Sequence, residues 1–109
     1  MMKDDRQTKY VRRIMAEIEE FIRERHVMEL IYLDANGENM YYRVAPICIK
    51  EHDSDRYLLA STEDDRVLIF AIEYITGVGE TEAMTTFSLP ENFDIERFKK
   101  RFFDIGKVM

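Results

Sequence analysis

The N-terminal quarter of the chain carries apolar residues at helical spacing. They recur three and four positions apart at Val11, Ile14, Met15, Ile18, Phe21 and Ile22. This spacing gathers them on one stripe of a helix whose opposite face is charged. We therefore predict an amphipathic helix over about residues 9–25 that packs its apolar stripe on the rest of the fold.

After His26 the helical period gives way to short runs rich in β-forming residues. Polar turns separate these runs, which predict five strands over about 27–33, 40–49, 56–62, 67–72 and 75–81. Asn36-Gly37 is typical of a tight hairpin. Pro46 cannot donate to a ladder and predicts an edge or a bulge. The pattern favours an α+β, mainly β fold: a five-stranded Sm-like or SH3-like small barrel over about residues 27–83.

A second helix is predicted near the C-terminus, over about residues 94–103. Asn92 or Asp94 can cap its start, and Gly106 is a plausible stop. Its apolar stripe consists of Ile95, Phe98 and Phe102. The sequence therefore predicts a helix, a small barrel and a second, short helix, in this order.

Composition narrows the function classes. The chain has 109 residues, which predicts one domain over 1–109. It has one cysteine, Cys48, and two histidines, fewer than a structural zinc site needs. Nucleotide-binding and hydrolase motifs are absent from the sequence, as are a signal peptide and a membrane-length apolar run. We expect a cytoplasmic protein that is not an enzyme and that needs no metal or cofactor.

Charge is uneven along the chain. The formal net charge is −6, and residues 27–84 alone hold four basic against twelve acidic side chains, a formal charge of −8. Nucleic-acid binding rests on Lys and Arg that neutralise phosphates. The sequence therefore disfavours a nucleic-acid partner and favours a protein partner.

A series of short motifs follows the predicted strands in order. They are Ile31-Tyr32, Asn36-Gly37, Val44-Ala45-Pro46, Tyr57-Leu58-Leu59-Ala60, Phe70-Ala71-Ile72-Glu73-Tyr74-Ile75, Phe87-Ser88-Leu89-Pro90 and Phe93-Asp94. In this order and spacing, over about residues 14–98, the chain resembles a WYL domain. That family supplies ligand-sensing modules of bacterial transcription regulators and some CRISPR and phage-defence accessory proteins. The resemblance implies an Sm-like barrel with an N-terminal helix.

The chain departs from the family pattern where that family carries its positive patch. Arg56 stands in place of the Trp of Trp-Tyr-Leu, and Leu68, Ala71 and Tyr74 stand where the family has arginines proposed to bind nucleic acid or nucleotide-like ligands. The usual DNA-binding and C-terminal extension domains are not seen in this sequence. We therefore expect a standalone regulatory module that acts through protein contacts, in defence or transcription control. A nucleic-acid or nucleotide sensor is the alternative.

Several side chains are candidate site residues, each with a plain structural alternative. Arg43, Arg56 and Arg66 could form a residual anion site, or be solvated. Tyr32, Tyr57 and Tyr74 could line a ligand pocket, or pack across strands.

The sequence disfavours two further kinds of site, a cysteine nucleophile and a calcium-binding loop. Cys48 with His26 or His52 could be a nucleophile and its base, although a lone cysteine in an apolar strand is normally inert. Glu63-Asp64-Asp65 lacks the ligand spacing of a calcium loop and fits a solvated turn.

The C-terminal segment is unusually apolar. We expect a homodimer whose interface includes Phe98, Phe102, Phe103 and Ile105, because one short helix has only one stripe to bury on its own barrel. A tail folded back on the same barrel, or docked on a foreign partner, is the alternative.

Overall fold

The computed structural model describes the backbone of residues 5–108 and the side chains of residues 9–101. The elements, in chain order, are α1 (Asp5–Glu24), β1 (Met28–Leu33), β2 (Asn39–His52), β3 (Asp55–Ser61), β4 (Val67–Ala71), a 3-10 helix (Ile72–Tyr74), β5 (Ile75–Glu80) and α2 (Ile95–Val108). The predicted order of a helix, five strands and a second helix is confirmed. Among the described residues, no helix has the length and apolar character needed to cross a membrane.

One antiparallel sheet runs in the order β4-β3-β2-β1-β5. The 14-residue strand β2 joins its two halves: the part before Ala45 pairs with β1, and the part from Ala45 onward pairs with β3. The register of the β2–β3 ladder shifts between Pro46 and Cys48, so the bulge predicted at Pro46 is confirmed. Along the described chain no ladder joins the edge strands β4 and β5, so closure into a barrel is not confirmed.

Helix α1 packs on the inner face of the sheet. Ile14 and Ile18 are buried among residues from every strand, including Met28, Leu58 and Phe70, while the charged face of the helix is exposed. The 3.6-residue period of the apolar positions thus identified the buried face correctly.

A second, smaller cluster lies under the C-terminal segment. Ile47, Cys48 and Leu59 are buried there, and Phe93 and Phe98 pack against them. Helix α2 begins as predicted, because the Asp94 carboxylate accepts a hydrogen bond from the backbone N–H of Arg97 at 3.1 Å.

Helix α2 ends later than the sequence predicted. It continues through Gly106 to Val108 rather than ending near Phe103. A glycine inside a helix costs only about 1 kcal/mol, so it does not force an end. The side chains of Phe102, Phe103 and Ile105, which the sequence predicts at a dimer interface, lie outside the described residues.

Candidate functional site

The three candidate arginines do not come together. Arg56 lies at the start of β3 and Arg66 follows the turn at its other end, about one strand length or 20 Å away. Each is paired with an acid: Arg56 with Glu51 at 3.3 Å and Arg66 with Asp64 at 3.1 Å. Arg43 lies 4.0 Å from Glu63. The arrangement gives local ion pairs rather than a cationic patch.

The tyrosines gather at the corner between β1, β4 and the 3-10 helix. The ring of Tyr32 makes edge contacts with Phe70 and Tyr74, at centroid distances of 5.1 and 6.4 Å. Tyr57 lies opposite Ala71 in the ladder between β3 and β4. Burial, and then the nearby acids of the β2–β3 turn, raise the pKa of Tyr57. Tyr32 therefore serves cross-strand packing, while Tyr74 stays half-exposed beside it.

Cys48 is placed as a structural residue. It is 6% exposed in the smaller core cluster. Burial is the main cause that raises the pKa of its thiol from 9.0 to about 11, although Lys99 works in the opposite direction. The thiol is therefore protonated at neutral pH and is a poor nucleophile. In the described part of the chain, no three His, Cys, Asp or Glu side chains group as metal ligands.

A feature that the sequence analysis missed lies on the outer face of β1, β2 and β5. The registers align two rows across these strands: Tyr41, Ile31 and Gly77 in one row, and Arg43, Glu29 and Gly79 in the next. The alternate positions, such as Leu30 and Val44, point into the core. The two rows line a groove of about 520 Å³, here called the sheet groove.

The two glycines give the sheet groove its open end. Neither Gly77 nor Gly79 has a positive φ, so backbone conformation does not require glycine there. A Cβ atom at Gly79 would meet nothing within 4 Å, and one at Gly77 would reach only the Ile31 side chain at 3.5 Å. The packing of the chain therefore leaves both positions free to carry a larger residue. The spacing Gly-x-Gly on one face of a strand was the available sequence signal.

Two smaller grooves continue from Arg43. The turn groove, of about 440 Å³, includes Tyr41, Arg43 and the β3–β4 turn at Thr62, Glu63 and Asp64. The Thr62 hydroxyl is hydrogen-bonded to the Asp64 carboxylate and is the main cause of the lowered pKa of Asp64. This turn is thus ordered and presents carboxylates beside the groove.

The strap groove, of about 370 Å³, lies between β2 and the extended segment 85–90. Backbone hydrogen bonds of 2.8 Å fix this segment, from the N–H of Val27 to the carbonyl of Thr85 and from the N–H of Phe87 to the carbonyl of Arg25. The Arg43 guanidinium also donates to the Thr85 hydroxyl at 3.4 Å. Arg43 thus lines all three grooves.

The sequence model of the WYL domain matches residues 13–79. No curated protein matches the chain. A solved structure, proteasome accessory factor B/C (PafBC) of Arthrobacter aurescens, is similar with a TM-score of 0.65 and 21% sequence identity over 77% of this chain. The chain spans only 13% of that protein, and the likeness shows a shared fold.

Proposed function

The chain belongs to the WYL domain family, and from that premise we propose that it is a non-enzymatic regulatory module that acts by binding another protein. Transcription control and bacterial or phage defence are the proposed settings. The Sm-like barrel of the family is proposed as its fold, with Tyr32 bridging β1 and β4 where no ladder closes the sheet.

The observation that carries this proposal is the pairing of the arginines. Arg43, Arg56 and Arg66 each lie within 4.0 Å of a carboxylate. An arginine paired in this way has to lose or share its partner before it can neutralise a phosphate. With a formal charge of −8 over residues 27–84, this part of the surface repels a polyanion. The same surface, which is uncharged or acidic, is available for contact with a protein.

A second candidate is a nucleic-acid or nucleotide-ligand sensor. Arg97, Lys100 and Arg101 are exposed along α2 and supply positive charge outside the acidic region. A polyanion would meet this helix rather than the three strand and turn arginines.

Oligonucleotide binding separates the two candidates. Fluorescence anisotropy with single-stranded DNA and RNA should show weak or no binding, even at about 50 mM salt. Submicromolar binding at physiological salt that Arg43→Ala abolishes would overturn the protein-binding proposal. Binding that falls steeply between about 50 and 200 mM salt, and that Lys100→Glu removes, would establish the second candidate. Cross-linking of the full chain in its native cells should yield a discrete protein adduct.

A further inference from the structure

We propose that the sheet groove and the adjoining turn groove bind an extended peptide segment of the partner protein, one that combines apolar with cationic side chains. This inference rests on the proposed protein-binding function and names the surface and the chemistry of its partner. Three independent features of the groove support it.

The first feature is the solvent-exposed apolar row that contains Tyr41 and Ile31. Tyr41 is 75% exposed, more than any other large hydrophobic side chain described as exposed, and it lies directly opposite the half-buried Ile31. Exposed aromatic residues beside an aliphatic one are typical anchors of protein interfaces. An apolar side chain of the peptide would be buried against Tyr41 and Ile31.

The second feature is the bare outer face of β5. The Cβ positions of Gly77 and Gly79 lead into open space or the edge of Ile31, so a chain lying on this face can approach the strand backbone. Side chains at these two positions would fill the end of both rows. An extended peptide is thin enough to lie against this exposed backbone, whereas a bulky folded surface is not.

The third feature is charge. Glu29 lies between Arg43 and Gly79 in the second row, but the Arg43 guanidinium is directed to Glu63 and Thr85. Among the side chains described, no ion pair engages the Glu29 carboxylate. The turn groove adds Glu63 and Asp64, but these lie 4.0 Å from Arg43 and 3.1 Å from Arg66. Among the described carboxylates that line the two grooves, Glu29 is therefore the one left for a cation of the peptide. A Lys or Arg of the peptide complements this pattern, whereas a nucleic acid does not.

Heteronuclear NMR of the full chain with a defined probe tests the proposal. The probe is the acetylated peptide Ser-Leu-Arg-Phe-Arg-Leu-Ser, and its matched control carries Glu in place of both Arg. We expect the cationic peptide to shift the backbone amides of Ile31, Gly77 and Gly79, and the anionic peptide to leave them unchanged. Absence of shifts, equal shifts with both peptides, or shifts confined to another surface would overturn the proposal. So would an oligothymidylate that shifts the same amides.

Variants sharpen the test. Gly79→Val adds a β-forming side chain into free space, so the fold is retained while the groove is filled. Glu29→Lys reverses the charge within the groove, and Glu73→Lys makes the same change on the 3-10 helix as its control. Both groove variants should weaken peptide binding about tenfold or more, and Glu73→Lys should not. Unchanged affinity in well-folded Gly79→Val and Glu29→Lys would refute the groove.

The two proposals fail separately. If Gly79→Val still forms the protein adduct of the wild-type chain, the groove is not the docking surface but the protein-binding function stands. If the oligonucleotide result described above overturns that function, it does so without reference to the peptide.

Discussion

The hydroxyl of Tyr32 accepts a hydrogen bond from the backbone N–H of Ala71 at 3.0 Å, and so links β1 to the edge strand β4 across 39 positions of sequence. Antiparallel pairing alternates which backbone groups face the neighbouring strand. The β3–β4 turn closes with a hydrogen bond from the N–H of Thr62 to the carbonyl of Arg66. Counting alternate pairs along the ladder from this bond, the N–H of Ala71 points away from β3. Tyr32 satisfies this edge donor where no strand does.

Tyr32→Phe tests that link. The ring contacts with Phe70 and Tyr74 are retained, and only the hydroxyl is lost. We expect the free energy of unfolding to fall by about 0.5–1.5 kcal/mol, and the amide hydrogen of Ala71 to exchange faster. Thermal unfolding and hydrogen exchange measure the two effects. An unchanged exchange rate at Ala71 would show that the hydrogen bond does not form in solution.

Ile18→Ala and Glu20→Ala test the two faces of α1. Ile18 is fully buried in the main core cluster, so its truncation should cost about 2–5 kcal/mol. Glu20 pairs with Arg23 at 3.1 Å with both side chains largely exposed, and such a pair contributes about 0–1 kcal/mol. Urea unfolding of both variants gives the comparison. Similar small losses would contradict the placement of α1 on the sheet.

The fold was predictable because the spacing of hydrophobic residues along a helix or strand shows which of its faces is buried. The stripe through Ile14 and Ile18 and the β-forming runs each placed an element close to its observed position. Turn chemistry located the first hairpin but not its loop length. The tight hairpin predicted at Asn36-Gly37 joins β1 and β2, and its loop has three residues, because Asp34 is bonded to Glu38 and only Gly37 within the loop has a positive φ, of 81°.

The sheet groove was not predictable by the same means. Its rows form only when β1, β2 and β5 are set in register, and the β1–β5 ladder has a register shift between Ile31 and Tyr32 that the sequence analysis did not predict. Sequence alone also could not tell that Arg43 and Glu63 meet from different strands and turns. Composition indicated that the surface is acidic. Only the fold shows that Glu29, Glu63 and Asp64 lie near the apolar row of Tyr41 and Ile31.

A two-residue turn lies at Asp53-Ser54, between β2 and β3. These residues have φ values of 52° and 74°, and they connect the paired residues His52 and Asp55. A residue other than glycine costs about 1–2 kcal/mol in this left-handed region. Ser54→Gly should therefore raise the free energy of unfolding by about 1 kcal/mol.

Gly37→Ala is the matched opposite change for that prediction. A Cβ at Gly37 would meet nothing within 4 Å, so its positive φ is the only obstacle to a side chain. The variant should be less stable by about 1 kcal/mol. Chemical denaturation of both variants checks the pair, and a loss of stability in Ser54→Gly would contradict this account of the turn.

The thiol of Cys48 should react slowly in the folded protein. Its pKa of about 11 leaves roughly one hundredth of the thiolate that its ordinary pKa of 9.0 would give at pH 8. Since folding raises this pKa, burial of the neutral thiol stabilises the fold below about pH 9, and that contribution is lost as pH rises through 11. Iodoacetamide labelling at pH 8 should be about 100-fold slower than in the urea-unfolded chain. Equal rates would place Cys48 at an accessible surface.

The last prediction concerns assembly. Phe98 packs against Phe93 at 5.2 Å between ring centroids and belongs to the smaller core cluster, so the helix face that it marks is occupied within the chain. Phe102 and Phe103 follow one another in the sequence, and successive positions of a helix are about 100° apart, so the sequence pattern predicts that only one of them continues the stripe of Phe98. We propose that Phe102, Phe103 and Ile105 form the contact between two copies of the chain, because twofold symmetry is the commonest way to cover identical patches. Light scattering at micromolar concentration should give twice the 13.1 kDa of one chain. Phe103→Glu should return the mass to that of one chain, whereas Phe98→Ala should chiefly lower the stability of the fold. A single-chain mass for the wild-type protein would refute the dimer, and a dimer that survives Phe103→Glu would place the interface elsewhere.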